Sequence, residues 1–237
     1  SSRRSWYGEQ MYRPMPDTVT EPLVHEFRSV TDGMLATTAI PPVDELLGGL
    51  EPGTVTTIDS SDKLLFNLVN MLSVNFVREW HRDVIWVDGG NSVNPYDLTY
   101  VCKRFRLRPE EVLNSISVSR AFTAYQMSTL IEESLEEELC RSKGGMIVVS
   151  CYPDLFQDAD MDWNESLKLM ERGMGKLRSL TAKHRTVSVV TNYGLAKLMY
   201  RKGLRSLFYE KVDRVVSVEH RSGYVRISLP MVERDIM

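Results

Sequence analysis

The sequence predicts an α/β domain whose central sheet is mainly parallel, covered by helices on both faces and closed at one edge by an antiparallel hairpin. Two observations predict it. Short β-branched runs alternate with longer segments of helical periodicity, as in parallel sheets with crossover helices. The last two strand-like runs have only a short polar separator between them, which is typical of a hairpin. We expect residues 36–237 to form this one domain.

The predicted parallel strands are continuous apolar runs, which suit strands buried on both faces. They are TVTTI (54–58), DVIWVD (83–88), SISVS (115–119), GMIVVS (145–150) and TVSVVTN (186–192). Two further runs within residues 211–230, separated by EHRSG, form the predicted hairpin.

Three segments between the strands carry apolar residues at helical spacing, which predicts helices over residues 63–80, 125–142 and 166–184. The residues predicted to face the core are Leu65, Leu68, Leu72 and Phe76 in the first, Met127, Leu130, Ile131, Leu135 and Leu139 in the second, and Met170, Met174, Leu177 and Thr181 in the third.

Residues 1–35 are rich in Pro, Arg and Ser and show neither the periodicity of a helix nor that of a strand. They are interpreted as a tail. Such a segment is either poorly ordered or an arm whose aromatic residues dock on a neighbouring subunit.

Composition limits the function. The chain is 43% hydrophobic and 26% charged with a net charge of −3, so any binding of a polyanion must be confined to one face. Three cysteines without a C-x-x-C pair and four scattered histidines indicate no metal site. No apolar stretch is long enough to cross a bilayer, so we expect a cytoplasmic protein without a membrane partner.

Three segments follow one another in order: PPVDELLGGLEPGTVTTI (41–58), RFRLRPEEVLNSISVSRAFTAYQ (104–126) with an Arg-Ala-Phe signature, and SVVTN (188–192). In order and spacing they resemble the ATPase core of the RecA/RadA recombinase family, in particular its archaeal RadA and RadB branch. The resemblance covers about residues 36–230. It implies a RecA-like core, and the layout is nearer to RadB because no counterpart of RadA's helical N-terminal domain is visible.

The phosphate-binding turn of this resemblance is altered. A P-loop reads G-x-x-x-x-G-K-[ST], because glycines let backbone N–H groups face phosphate oxygens and the hydroxyl holds Mg²⁺. In IDSSDKLLFNL only Lys63 is kept, Leu64 stands at the hydroxyl position, and two carboxylates lie in the loop. Ser60, Ser61 and Asp62 are instead predicted to cap the following helix.

Three further positions implied by the resemblance are also altered. Asp88 is kept at the end of the second strand, but Gly90 stands where the family has its catalytic Glu. Ser150 replaces the Asp that would hold Mg²⁺ through water, and Tyr193 replaces a Gln that couples the nucleotide to DNA. Lys63, Asp88, Gly90 and Ser150 are therefore interpreted as a vestigial nucleotide site, with no catalytic residue, no cofactor and no Mg-ATP binding expected.

The family binds DNA through two loops, and in this chain the first, at about 151–165, is acidic. The second region, YGLAKLMYRKGLRSLFYEK (193–211), combines cations with tyrosines that can stack on bases. The candidate DNA-binding residues are Lys197, Arg201, Lys202, Arg205, Lys211, Tyr193 and Tyr200. The alternative is a solvated amphipathic helix.

The sequence leaves three functions open. The first is a catalytically inactive RadA/RadB-like paralogue that acts in DNA recombination and repair by binding DNA, a recombinase or another RecA-fold protein, or itself. The second is a protein-interaction scaffold of the KaiC-like type that does not bind DNA. The third is an ATPase with an unorthodox loop around Lys63 and Asp88.

Overall fold

The computed structural model describes residues 33–157, 160–194 and 202–229, with the side chain of Lys202 left out. Residues 1–32 of the predicted tail lie outside this part of the chain. None of the helices that are described is long and apolar enough to cross a membrane.

One sheet of seven strands organises the described residues, in the order β3-β2-β4-β5-β1-β6-β7. Its strands β1 to β6 pair in parallel, and β7 joins the edge antiparallel to β6, so the predicted fold class is confirmed. The strands are β1 (Thr54–Asp59), β2 (Asp83–Asp88), β3 (Ile116–Arg120), β4 (Gly144–Ser150), β5 (Val187–Asn192), β6 (Arg214–Arg221) and β7 (Tyr224–Ser228).

The hairpin turn is tighter than the sequence predicts. Glu219 and His220, expected in the separator, belong to β6, and Arg221 pairs directly with Tyr224. Only Ser222 and Gly223 are left to turn the chain. Gly223 has φ 83°, a left-handed conformation that glycine adopts without steric cost.

Helices cover both faces of the sheet. They are α1 (Pro41–Leu47), α2 (Leu64–Trp80), α3 (Pro95–Arg104), α4 (Pro109–Leu113), α5 (Ala124–Thr129), α6 (Leu135–Arg141), α7 (Trp163–His184) and α8 (Lys202–Glu210). A single π turn over Leu130–Ser134 joins α5 to α6, and a short 3₁₀ turn over Pro153–Gln157 follows β4.

Two hydrophobic cores lie on the two faces of the sheet. The first is built under α1 to α4 and the second under α5 to α8. Alternate residues of β2 supply both, since Trp86 faces the first core whereas Ile85 and Val87 face the second. The predicted core residues of the helices are buried, except that Leu130 in the π turn is only partly buried.

Candidate functional site: a remodelled phosphate turn

Four polar residues meet at the carboxyl edge of the sheet, where ligands of open α/β folds bind. Asp59 ends β1 and lies in register with Asn192 at the end of β5. Asp88 ends β2 and lies in register with Ser150 at the end of β4. The sheet order therefore brings the predicted positions 88 and 150 together.

The turn after β1 uses its own side chains to satisfy its backbone. The Ser60 N–H donates to the Asn192 carbonyl at 3.0 Å, and the Asp62 N–H donates to Ser60 Oγ at 2.9 Å. The Leu64 N–H, in the first turn of α2, donates to Asp62 Oδ1 at 2.9 Å. These are N–H groups that a P-loop would direct at phosphate oxygens. The capping prediction is confirmed only for Asp62, since the N-cap position itself is Lys63, which makes no side-chain capping hydrogen bond.

Two adjacent residues at the end of this turn, Asp62 and Lys63, carry charges of opposite sign. Asp62 Oδ2 lies 3.4 Å from His220 Nδ1 of strand β6. Lys63 is exposed and makes no ion pair with another residue that the structure describes. The kept lysine is thus open to solvent, beside a carboxylate that would repel an anion.

Asp59 is a buried carboxylate at the start of the turn. Only 4% of the residue is exposed. It accepts hydrogen bonds from Thr57 Oγ1 at 2.8 Å and from the Tyr209 hydroxyl. Burial raises the pKa of Asp59 to about 6, although the Tyr209 and Thr57 hydrogen bonds oppose the rise.

Asp88 is fully engaged by the loop that follows it. Its carboxylate accepts hydrogen bonds from the backbone N–H groups of Gly90, Ser92 and Val93, each at 3.1 Å. The Ser92 and Ser150 hydroxyls each donate to Oδ1 at 2.9 Å. Burial raises the pKa of Asp88, but these hydrogen bonds outweigh it and hold the pKa below its ordinary value.

Ser150 closes the same network from β4. The residue is fully buried, and its hydroxyl accepts a hydrogen bond from Trp86 Nε1 at 2.8 Å while donating to Asp88. Arg120, from the Arg-Ala-Phe signature, places Nη1 3.4 Å from Asp88 Oδ2 and donates from Nη2 to the Val93 carbonyl at 3.0 Å. Ser150 thus links β4 to β2, and Arg120 joins β3 to the same Asp88 carboxylate.

Position 90 has no room for a side chain. A Cβ built on Gly90 would overlap Cys151 Sγ and lie 2.8 Å from Cys151 Cβ. Cys151 has φ 58°, is 5% exposed, and its N–H donates to Thr191 Oγ1 at 2.8 Å. A Glu at position 90 would therefore need Cys151 to move.

The residue at position 193, Tyr193, packs against the rest of the domain. The Tyr193 N–H donates to Asp154 Oδ2 at 3.2 Å, and its ring lies 5.6 Å from the Phe66 ring, centroid to centroid. Next to it Asn192 is fully buried, and its Oδ1 finds no hydrogen-bond partner among the residues that are described.

The structure describes only part of the candidate DNA-binding region. Lys197, Tyr200 and Arg201 lie outside the described residues, as does the side chain of Lys202. Arg205 is exposed on α8, with its guanidinium 5.5 Å from the centre of the Tyr209 ring. Lys211 is half-buried just after α8.

Sequence reasoning missed three residues of this site: Cys151, Tyr209 in its contact with Asp59, and Arg120 in its contact with Asp88. Cys151 directly follows a strand end, and Arg120 ends β3 and begins the Arg-Ala-Phe signature, so both positions carried a signal in the sequence although their contacts did not. The Tyr209 contact has none, because it joins residues 150 positions apart.

The polar groups at the turn after β1 and at Asp88 are largely bonded within the protein. Three N–H groups of this region, on Ser60, Asp62 and Leu64, are bonded within the protein, and the Asp62 carboxylate adds negative charge. The carboxylate of Asp88 is saturated by protein donors, and a hydroxyl stands at position 150. In the described part of the chain, no group of three His, Cys, Asp or Glu side chains is placed to hold a metal ion.

A sheet in this order, with its polar residues at the carboxyl ends of β1, β2, β4 and β5, defines a RecA-like α/β core. The family model described as Rad51 matches residues 70–205, which is more than half of the chain. The protein therefore belongs to the Rad51 family, within the recombinase superfamily that the sequence resembles. No curated protein matches the chain closely enough to be compared with it.

Proposed function

We propose that this Rad51-family protein has lost ATPase activity and acts as an accessory or regulatory subunit in DNA recombination and repair, resembling the RadA/RadB paralogues. The observation that carries the proposal is the closed position 90, where any side chain beyond hydrogen would overlap Cys151. A glycine at position 90 cannot act as the base that the resemblance assigns to this position for activating the attacking water.

Two further features, Ser150 and the turn after β1, independently support the loss of ATPase activity, because they lie on other strands than Gly90. Ser150 is held in hydrogen bonds to Trp86 and Asp88, so its hydroxyl is already used by the fold. The turn after β1 bonds its own N–H groups and carries Asp62. Each change alone is expected to remove several kcal/mol of nucleotide binding or transition-state stabilisation.

The family places its members among proteins that interact with DNA or with other RecA-fold subunits. A member without ATPase activity keeps the fold and its surfaces, so it can still bind DNA or an active recombinase and modulate it. With a net charge of −3, this chain would have to bind DNA through a local patch, and the affinity would fall steeply with salt.

Titration calorimetry with Mg-ATP tests the loss of the nucleotide site. We expect the wild type, Lys63→Ala and Lys168→Ala to give indistinguishable heats and no phosphate release. Lys168 is an exposed lysine on α7, so its replacement is a matched loss of charge away from the turn. Micromolar binding that Lys63→Ala abolishes and Lys168→Ala retains would contradict the proposal.

A further inference from the structure

Helix α3 exposes two large aromatic side chains on one face. Tyr96 is 84% exposed and Tyr100 is 63% exposed. They are four residues apart, so they lie on the same side of the helix, about 6 Å apart along its axis. The helix start is fixed by Pro95 in the first turn and by Asn94, whose side chain accepts the Tyr96 N–H at 2.9 Å.

The opposite face of α3 fixes its orientation. Leu98, Val101 and Cys102 are buried in the core beneath α2. The helix therefore cannot rotate to bury the two tyrosines without exposing this apolar face.

Two cations continue the tyrosine face towards the end of the helix. Lys103 lies seven residues after Tyr96, and Arg104 lies four residues after Tyr100. Both side chains are exposed. Neither makes an ion pair with another residue in the described part of the chain. Asp97, also exposed, flanks the face in the first helical turn, where a carboxylate favours the helix dipole.

Lys103 and Arg104 differ in this respect from several cations elsewhere on the surface. Lys176 and Lys183 both pair with Glu136 across α6 and α7. Cations at a helix end also interact favourably with the dipole, which accounts for Lys103 and Arg104 as stabilising residues. That role does not account for two exposed tyrosines beside them.

We propose that Tyr96, Tyr100, Lys103 and Arg104 form a binding face for single-stranded nucleic acid, named here the α3 face. Stacking on aromatic rings needs unpaired bases, and neighbouring cations bind phosphates. The rise of about 6 Å between the tyrosines is roughly twice the 3.4 Å rise per nucleotide in a stacked strand. The two rings therefore match alternate bases of a stacked strand or adjacent bases of an extended one.

The inference rests on the DNA binding in the proposed function and names its surface. It also satisfies the requirement that an acidic chain bind a polyanion locally. The face is separate from the predicted candidates at 193–211, so the two regions can be tested by different variants.

The test is fluorescence anisotropy of a labelled oligothymidine and of a labelled duplex, titrated with the full chain over a range of salt concentrations. The first variant is Tyr96→Ala/Tyr100→Ala, with Tyr224→Ala as control, because Tyr224 is 55% exposed on the distant strand β7. The second is Lys103→Ala/Arg104→Ala, with Lys168→Ala as control.

We expect the double tyrosine variant to weaken single-strand binding about tenfold or more and to affect duplex binding less. The double cation variant should lower the salt slope by about 0.7 for each phosphate that is no longer neutralised. Both control variants should bind like the wild type. Thermal melts should be unchanged for the tyrosine variant and for both controls, since the replaced side chains are exposed. The melting temperature of Lys103→Ala/Arg104→Ala should fall slightly, because two cations at the end of α3 are lost.

The outcomes separate this inference from the proposed function. If the wild type binds single strands and both α3 variants bind equally well, the α3 face is refuted and the proposed function stands. If the wild type binds neither nucleic acid, the inference and the DNA binding of the proposed function fail together. If the variants lose capture of an active Rad51-family partner but keep single-strand affinity, the face binds protein and the inference is overturned.

Discussion

The closed position 90 makes a quantitative prediction for Gly90→Ala. The added methyl would overlap Cys151 Sγ and approach Cys151 Cβ to 2.8 Å, so the neighbour has to move. Cys151 cannot move easily, because its N–H is bonded to Thr191 Oγ1 and its side chain is buried. Overpacking of this kind costs about 1–3 kcal/mol, so we expect the free energy of unfolding to fall by that amount.

A double-mutant cycle with Cys151→Gly identifies the obstacle. That replacement removes both atoms that the methyl meets, and it relieves a non-glycine residue at φ 58°. Gly90→Ala should then cost at least about 1 kcal/mol less in the Cys151→Gly background than in the wild type. Urea denaturation followed by circular dichroism gives the four free energies, provided that the m-values agree.

Gly175→Ala is the matched control, because a Cβ there meets nothing within 4 Å on the long helix α7. It should be neutral or stabilise the protein by up to about 1 kcal/mol. The reasoning is refuted if Gly90→Ala and Cys151→Gly are additive within about 0.5 kcal/mol, since Cys151 would then not be what closes position 90.

Two other predictions concern the carboxylates. Ser150→Asp would put a second carboxylate where Ser150 Oγ lies 2.9 Å from Asp88 Oδ1. Urea denaturation should show that the free energy of unfolding falls by about 3 kcal/mol. A phosphate-release assay should show that the variant gains no Mg-dependent ATPase activity. Asp59→Asn removes a carboxylate whose pKa rises from 3.8 to about 6 in the folded protein, so folding favours its protonated form. In the wild type, about 3 kcal/mol of stability is therefore lost as the pH rises from about 4 through 6, and the variant does not have this loss. In thermal melts across this pH range, the melting temperature of the variant should rise relative to that of the wild type as the pH rises. A difference that does not change with pH would contradict the raised pKa of Asp59.

The fold was largely predictable because its signals are local. The β-branched runs at 83–88 and 145–150 became β2 and β4 to within one residue, and the helix at 63–80 buries the four residues predicted. The hairpin tip was predicted too wide, because EHRSG is polar whereas pairing of β6 and β7 depends on register rather than polarity.

The site was less predictable because its contacts are long-range. The sequence shows that residue 90 is a glycine, but it does not show that Cys151 leaves no room there for a side chain. In the same way, Asp59 looks like one more charge in an acidic turn until the sheet brings Tyr209 to it. Both facts depend on which strands are neighbours, and no local pattern carries that information.

The two residues kept from the family's site have different reasons to remain. Asp88 is held by five hydrogen-bond donors, three of them backbone N–H groups, so loss of its carboxylate would leave buried donors without an acceptor. The fold therefore accounts for this carboxylate by itself. Lys63 is exposed and pairs with no residue that the structure describes, so the fold does not explain it. Any nucleotide binding that the protein retains should therefore depend on Lys63, which makes Lys63→Ala the variant that separates a silent site from an unorthodox one.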